Sequence, residues 1–162
     1  MNYRKHIRLP NYDYSQNGYY FVTVCTHMRR PIFVDAVKSL VEQKINQIPE
    51  YYPTVSIDYF VIMKNHIHAI IIINNNVGAE SYSARNDESI GPIKNRPLQK
   101  HIGLPTIIRS FKSWVQREMC VQIWQRGYYE HVIRNEKALN KIREYIMNNP
   151  DKEKYDWDKL DV

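Results

Sequence analysis

The sequence predicts an α+β domain: a ferredoxin- or RRM-like antiparallel sheet with helices packed on one face. Three observations predict it. Short runs rich in β-branched and aromatic residues alternate with longer runs of helical period. Two of the strand-like runs are separated by only two residues, Lys64 and Asn65, and a connection that short joins antiparallel neighbours. The order strand, helix, strand, strand, helix, strand, helix is that of a split β-α-β layout.

The elements follow in order. "GYYFVTVCT" (18–26) is β-branched and aromatic and reads as the first strand. "DAVKSLVEQKINQI" (35–48) places Val37, Leu40, Val41, Ile45 and Ile48 on one helical face, with Asp35 as its expected N-cap. "VSIDYFVIM" (55–63) and "HIHAIIII" (66–73) are the two arms of the hairpin. "LPTIIRSFKSWVQREM" (104–119) is a helix with Pro105 near its start and an apolar stripe of Ile107, Ile108, Phe111, Trp114, Val115 and Met119. A further strand lies within 121–133. "NEKALNKIREYIMNN" (135–149) is the last helix, capped by Asn135 and stopped by Pro150.

The stretch 74–103 is polar, holds most of the glycines and shows no sustained period, so it reads as one long loop with little to bury. No repeat and no second domain interrupt the 162 residues, which form a single domain. No apolar run approaches the roughly 18 residues that a bilayer requires. The opening "MNYRKHIRLPNYDY" carries no apolar leader segment. Cys25 and Cys120 make neither a disulfide framework nor a CxxC pair, so a reduced, cytoplasmic setting is expected. The net charge of +6 favours an anionic partner, most commonly nucleic acid. Thirteen tyrosines interleaved with basic residues suit stacking on unpaired bases, although most of them serve equally well as strand and core-rim residues.

Chemistry concentrates in "KNHIHAI" (64–70). Alternate strand residues share a face, so His66 and His68 project side by side while Ile67 points the other way. Two neutral imidazoles at that spacing grip one divalent ion. From H-x-H alone, two surface histidines satisfied by water are the commoner arrangement. Tyr145 and Asn149 lie four apart on the last helix, roughly 40° from each other around it. Asn149 offers a carbonyl oxygen beside the imidazoles, a mixed N/O set suited to Mg²⁺ or Mn²⁺, and Tyr145 a hydroxyl one turn away. On spacing alone, Ala138, Ile142 and Tyr145 read as a plain apolar face.

Taken together, "VIMKNHIHAIIII", "SFKSWVQ" and "IWQRGYYEHVIRNEKALNKIREYIMNNP" resemble the single-tyrosine HUH transposases of insertion sequences, and most closely the REP-associated tyrosine transposases. The opening "RLPNYDYSQNGYYFVTVCTHMRRPIF" is similar to that family's start. The resemblance covers nearly the whole chain apart from 74–103 and the charged tail. It implies an HUH catalytic domain, a divalent cation (Mg²⁺ or Mn²⁺) held by His66, His68 and Asn149, and Tyr145 as nucleophile. It also implies a substrate of single-stranded, hairpin-forming DNA, nicked and rejoined through a 5′-phosphotyrosine link. Asn149 stands where many insertion-sequence members carry Gln, so the helix must sit closer for its carbonyl to reach. The family includes homodimers with shared sites as well as monomers, and both states stay open here.

Arg109, Lys112 and Arg126 are candidate phosphate contacts, each equally readable as part of a solvated face. Tyr128 and Tyr129 have Val132 and Ile133 four positions on, not ligand-type residues, and read as packing or DNA-contact groups. The alternatives are a non-catalytic single-stranded nucleic-acid binding module and a domesticated protein that processes chromosomal repeats. The first leaves both the His66–His68 pair and the Tyr145–Asn149 pair without a purpose.

Overall fold

A computed structural model describes residues 9–75 and 102–148 of the protein. Most of the expected long loop, Asn149, Pro150 and the C-terminal tail lie outside the described residues. Four strands form one antiparallel sheet: β1 (Gly18–Cys25), β2 (Val55–Ile62), β3 (His66–Ile73) and β4 (Tyr129–Ile133), in the order β2-β3-β1-β4. The helices are α1 (Asp35–Asn46), a single turn α2 (Ile48–Tyr51), α3 (Leu104–Met119) and α4 (Glu136–Asn148). Among the described residues no helix is long and apolar enough to cross a membrane.

The antiparallel α+β class is as expected, and the two faces of the sheet divide by strict alternation. Tyr20, Val22 and Val24 of β1, with Ile67, Ala69, Ile71 and Ile73 of β3, pack against Val41 and Ile45 of α1 and Ile107, Ile108, Phe111 and Val115 of α3. Burial of this many large apolar side chains, at about 25 cal/mol per Å², is the main force holding that layer together.

The other face is where the fold departs from a sheet with all its helices on one side. There Phe21, Ile70 and Ile133 meet Ala138, Leu139, Ile142 and Ile146 of α4. The reason is compositional. Phe21 and Ile70 are as apolar as their neighbours and would otherwise face water, so the apolar stripe of α4 covers them. Asn135 caps this helix as expected, its Oδ1 accepting from the Ala138 amide at 2.8 Å.

Several boundaries differ from expectation. Val34, not Asp35, holds the cap position of α1, and Asp35 is the first helical residue with φ 45°. That helix ends at Asn46, and Pro49 falls in the first turn of α2. The strand expected within 121–133 is regular only from Tyr129. Gly127 turns the chain with φ 77°, and the Lys112 ammonium donates to the carbonyls of Gln125 (2.7 Å) and Gly127 (2.8 Å), holding that turn against α3. Trp124 keeps one isolated bridge to Thr26.

Candidate active site

The hairpin turn at Lys64 and Asn65 delivers β3 beside the central strand β1, with His66 opposite Cys25 and His68 opposite Thr23. Both imidazoles therefore lie on the α4 face, while Ile67 is buried in the opposite core. Their Nε2 atoms are 3.1 Å apart. Tyr145 of α4 reaches in from above, its hydroxyl 3.4 Å from His68 Nε2 and its ring edge-on to His68 with centroids 5.3 Å apart. Phe21 stacks on His68 from the neighbouring strand, with centroids 5.4 Å apart, and meets the Tyr145 ring edge-on. The imidazole pair and the phenol, 77 residues apart in sequence, thus share one site.

Each imidazole is also held from behind. The His66 Nδ1 lies 2.6 Å from Asn65 Oδ1, and the His68 Nδ1 lies 2.8 Å from Thr23 Oγ1. His68 is only 3% exposed. Burial, aided by the neighbouring His66 and Arg29, pushes its pKa down to about 3, so the ring is neutral at physiological pH. A neutral imidazole has a lone pair to give to a metal, which an imidazolium lacks.

The donor set fits a divalent cation. Two bonds of about 2.1 Å meeting near a right angle, as in octahedral coordination, span about 3 Å, and the Nε2–Nε2 separation is 3.1 Å. Among the described residues no group of three or more His, Cys, Asp or Glu gathers to hold a metal. The donors present are the two imidazoles, and the expected third ligand, Asn149, lies outside the described residues. Two nitrogens plus oxygen ligands suit a cation that retains water or phosphate oxygens better than a closed structural zinc site.

The rotational position of α4, and with it Tyr145, is set by an irregularity in β2. Ile57 pairs with Ile71 and Phe60 with Ala69, so Asp58 and Tyr59 together stand against the single residue Ile70. This bulge turns Asp58 toward α4, where its carboxylate takes both Nε and Nη2 of Arg143 at 2.7 and 3.0 Å. The Arg143 guanidinium lies 5.8 Å from the centre of the Tyr59 ring. Asp58 holds the already high pKa of Arg143 higher still.

Other candidates are placed differently. Arg109 is exposed on α3, the helix that packs on the sheet face opposite the imidazoles, and Arg126 is exposed in the turn before β4. The Lys112 ammonium is occupied by the two carbonyls of that turn, and burial lowers its pKa. Tyr129 is directly opposite Thr23 on β1, at the edge of the site face, and Tyr128 packs against the other core. His131 lies opposite Phe21, with its pKa pushed down by burial and by Arg134. Thr23, Asn65, Phe21 and the Asp58–Arg143 fork were not singled out from the sequence. A lone threonine in the apolar run "YYFVTVC" was the one local signal for any of them.

A four-stranded antiparallel sheet that holds an imidazole pair against a helix-borne tyrosine defines the class: an α+β domain with a candidate site on one face of its sheet. Among solved structures, the fold is similar to a REP-associated tyrosine transposase bound to a REP hairpin (TM-score 0.65, 21% identity, covering 92% of this chain and 76% of that one). It is also similar to a protein of Deinococcus radiodurans R1 provisionally described as a transposase (TM-score 0.50, 16% identity, 87% and 95%). In sequence, the chain is 35% identical to an uncharacterised protein of Haemophilus influenzae, over 93% of this chain and 89% of the other. A second Haemophilus influenzae protein, provisionally named a REP-associated tyrosine transposase, is 29% identical over 96% and 82%. No family model matches the chain. The chain belongs to one family with the first Haemophilus influenzae protein, and its resemblance to REP-associated tyrosine transposases holds in both sequence and fold.

Proposed function

We propose that the protein is a metal-dependent transposase that nicks and rejoins single-stranded, hairpin-forming DNA. The observation that carries this reading is the convergence of Tyr145 Oη on His68 Nε2 at 3.4 Å, with His66 Nε2 3.1 Å further on. The likeness to REP-associated tyrosine transposases, one of them bound to a REP hairpin, supports both the class and the nucleic-acid partner.

In this mechanism the Tyr145 oxygen attacks a backbone phosphorus. The bond from phosphorus to the 3′ oxygen breaks. The 5′ side is left linked to Tyr145, and the 3′ side leaves as a free hydroxyl after taking up a proton. The phenol proton passes to solvent. The reverse attack, by a 3′-OH on the phosphotyrosine, restores a DNA strand and frees Tyr145, so joining needs no external energy source. Phenolate leaves more readily than an alkoxide, which keeps the link reversible and favours tyrosine over serine here.

A free phenol has a pKa near 10 and is a weak nucleophile at neutral pH. His66 and His68, with Asn149 as third ligand, would hold a divalent cation, Mg²⁺ or Mn²⁺, which when bound would supply positive charge to polarise the phosphate and offset the charge that develops on it. Phe21 packs against His68 and Tyr145 and fixes the ring planes. The Asp58–Arg143 fork fixes how α4 presents the phenol.

The test is covalent capture. The protein is incubated with labelled single-stranded hairpin DNA and Mg²⁺ or Mn²⁺ and resolved on a denaturing gel. Wild type is expected to form an adduct and Tyr145→Phe none. His66→Ala is expected to lose cleavage while keeping most of its DNA affinity. Adduct formed by Tyr145→Phe but not by Tyr129→Phe would move the nucleophile to β4. Binding with no adduct across many hairpins and both metals would favour a non-catalytic binding module.

A further inference from the structure

We propose that Thr23 is a positioning residue for the imidazole pair: its hydroxyl, able both to donate and to accept, lets His68 turn a bare Nε2 toward a cation beside that of His66. The inference rests on the cation-site reading above and adds a residue that no motif contains.

The argument starts at His66. The Asn65 amide nitrogen donates to the Arg29 carbonyl at 3.3 Å, which turns its oxygen toward His66 Nδ1 at 2.6 Å. An amide oxygen can only accept, so His66 Nδ1 carries a proton, and in the neutral ring that a cation requires its Nε2 is a bare lone pair. That lone pair faces His68 Nε2 at 3.1 Å. Two bare nitrogens at that distance repel. Without a cation, therefore, His68 carries its proton on Nε2 and donates it to His66. The His68 Nδ1 is then an acceptor, and Thr23 Oγ1, 2.8 Å away, donates to it.

Cation capture needs the opposite arrangement. Both Nε2 lone pairs must point at the ion, so His68 must carry its proton on Nδ1 and place it in a hydrogen bond. The Thr23 oxygen accepts it once the hydroxyl has rotated. One proton leaves Nε2 to water and one arrives at Nδ1 from water, so the ring stays neutral in both arrangements. Asn65 serves one arrangement only, and Thr23 serves two. The sheet register fixes this partner, because Thr23 stands directly opposite His68 on the central strand and both are buried. Valine would fill the same space on a strand but leave the Nδ1 proton without an acceptor. That substitution favours the cation-free arrangement.

The test compares wild type with Thr23→Val and Thr23→Ser in the full chain. Mn²⁺ affinity is measured from free-ion EPR, and the ring protons by ¹⁵N NMR of the imidazoles during Mg²⁺ titration. Thr23→Val is expected to weaken Mn²⁺ binding about tenfold or more, and Thr23→Ser to stay near wild type. In wild type, Mg²⁺ is expected to move the His68 proton from Nε2 to Nδ1 while His66 stays protonated on Nδ1. Thr23→Val binding Mn²⁺ as tightly as wild type overturns the role of Thr23, as does a His68 tautomer that ignores Mg²⁺. If Thr23→Val does not fold, the wild-type NMR and the serine variant still decide. Wild type that binds no Mn²⁺ in a His66- and His68-dependent way removes the cation site itself, a different failure from one confined to the valine variant.

Discussion

His68 shows how burial tunes one side chain for two demands. It is 3% exposed, stacked on Phe21 and neutral, with a folded-state pKa near 3 against an ordinary value of 6.5. The unfolded chain therefore binds a proton more readily than the folded one, and stability is full above pH 6.5 and is lost as the pH falls toward 3. His131, also lowered by burial, acts in the same direction. The cation-free protein is expected to unfold at lower urea concentration at about pH 5 than at about pH 7.5, with a smaller difference in His68→Gln. Equal urea midpoints at the two pH values would contradict a buried neutral His68. The shared face of His66 and His68 was legible in the sequence because strand alternation is a local rule. Thr23 was not, because its contact with His68 depends on the pairing of two strands 45 residues apart.

Among the elements, α4 carries Tyr145, the proposed nucleophile, and is held by two different devices. Its stripe of Ala138, Leu139, Ile142 and Ile146 decides which side faces the sheet, but an apolar stripe tolerates sliding and small rotations. The bidentate bond between Asp58 and Arg143 removes that freedom two residues before Tyr145. Arg143→Met keeps the stem and loses the fork. It is expected to cost about 1 kcal/mol in stability, the ordinary scale for a partly exposed pair. The larger effect falls on chemistry: adduct formation slows by about tenfold or more with hairpin affinity unchanged. Matched losses in rate and affinity would assign the fork to general stability instead. The periodicity of "NEKALNKIREYIMNN" revealed this helix and its cap, but not the face of the sheet it covers. That depended on Phe21 and Ile70 having no other cover. Nor did "VSIDYFVIM" reveal its bulge, since an extra residue in a strand breaks alternation only once the partner strand is known. The strand within 121–133 is present, but its bounds were not legible in the sequence because the grip of Lys112 on Gln125 and Gly127 is a tertiary contact.

At the scale of the whole molecule, a net charge of +6 makes binding to a polyanion depend on counterion release. Hairpin affinity measured by anisotropy is expected to fall by about tenfold or more between about 50 and 200 mM salt. A flat profile would mean that base contacts, not phosphates, carry the affinity. The strand order has a further effect. The first strand made, β1, lies between β3 and β4, and the last described helix supplies the phenol. A ribosome delivers the chain from its N-terminus, so early products hold both imidazoles but lack Tyr145, the proposed nucleophile. On the mechanism proposed here, a nascent or prematurely ended polypeptide is thereby harmless to the genome of the cell producing it, because strand breakage would have to wait until synthesis has passed residue 145.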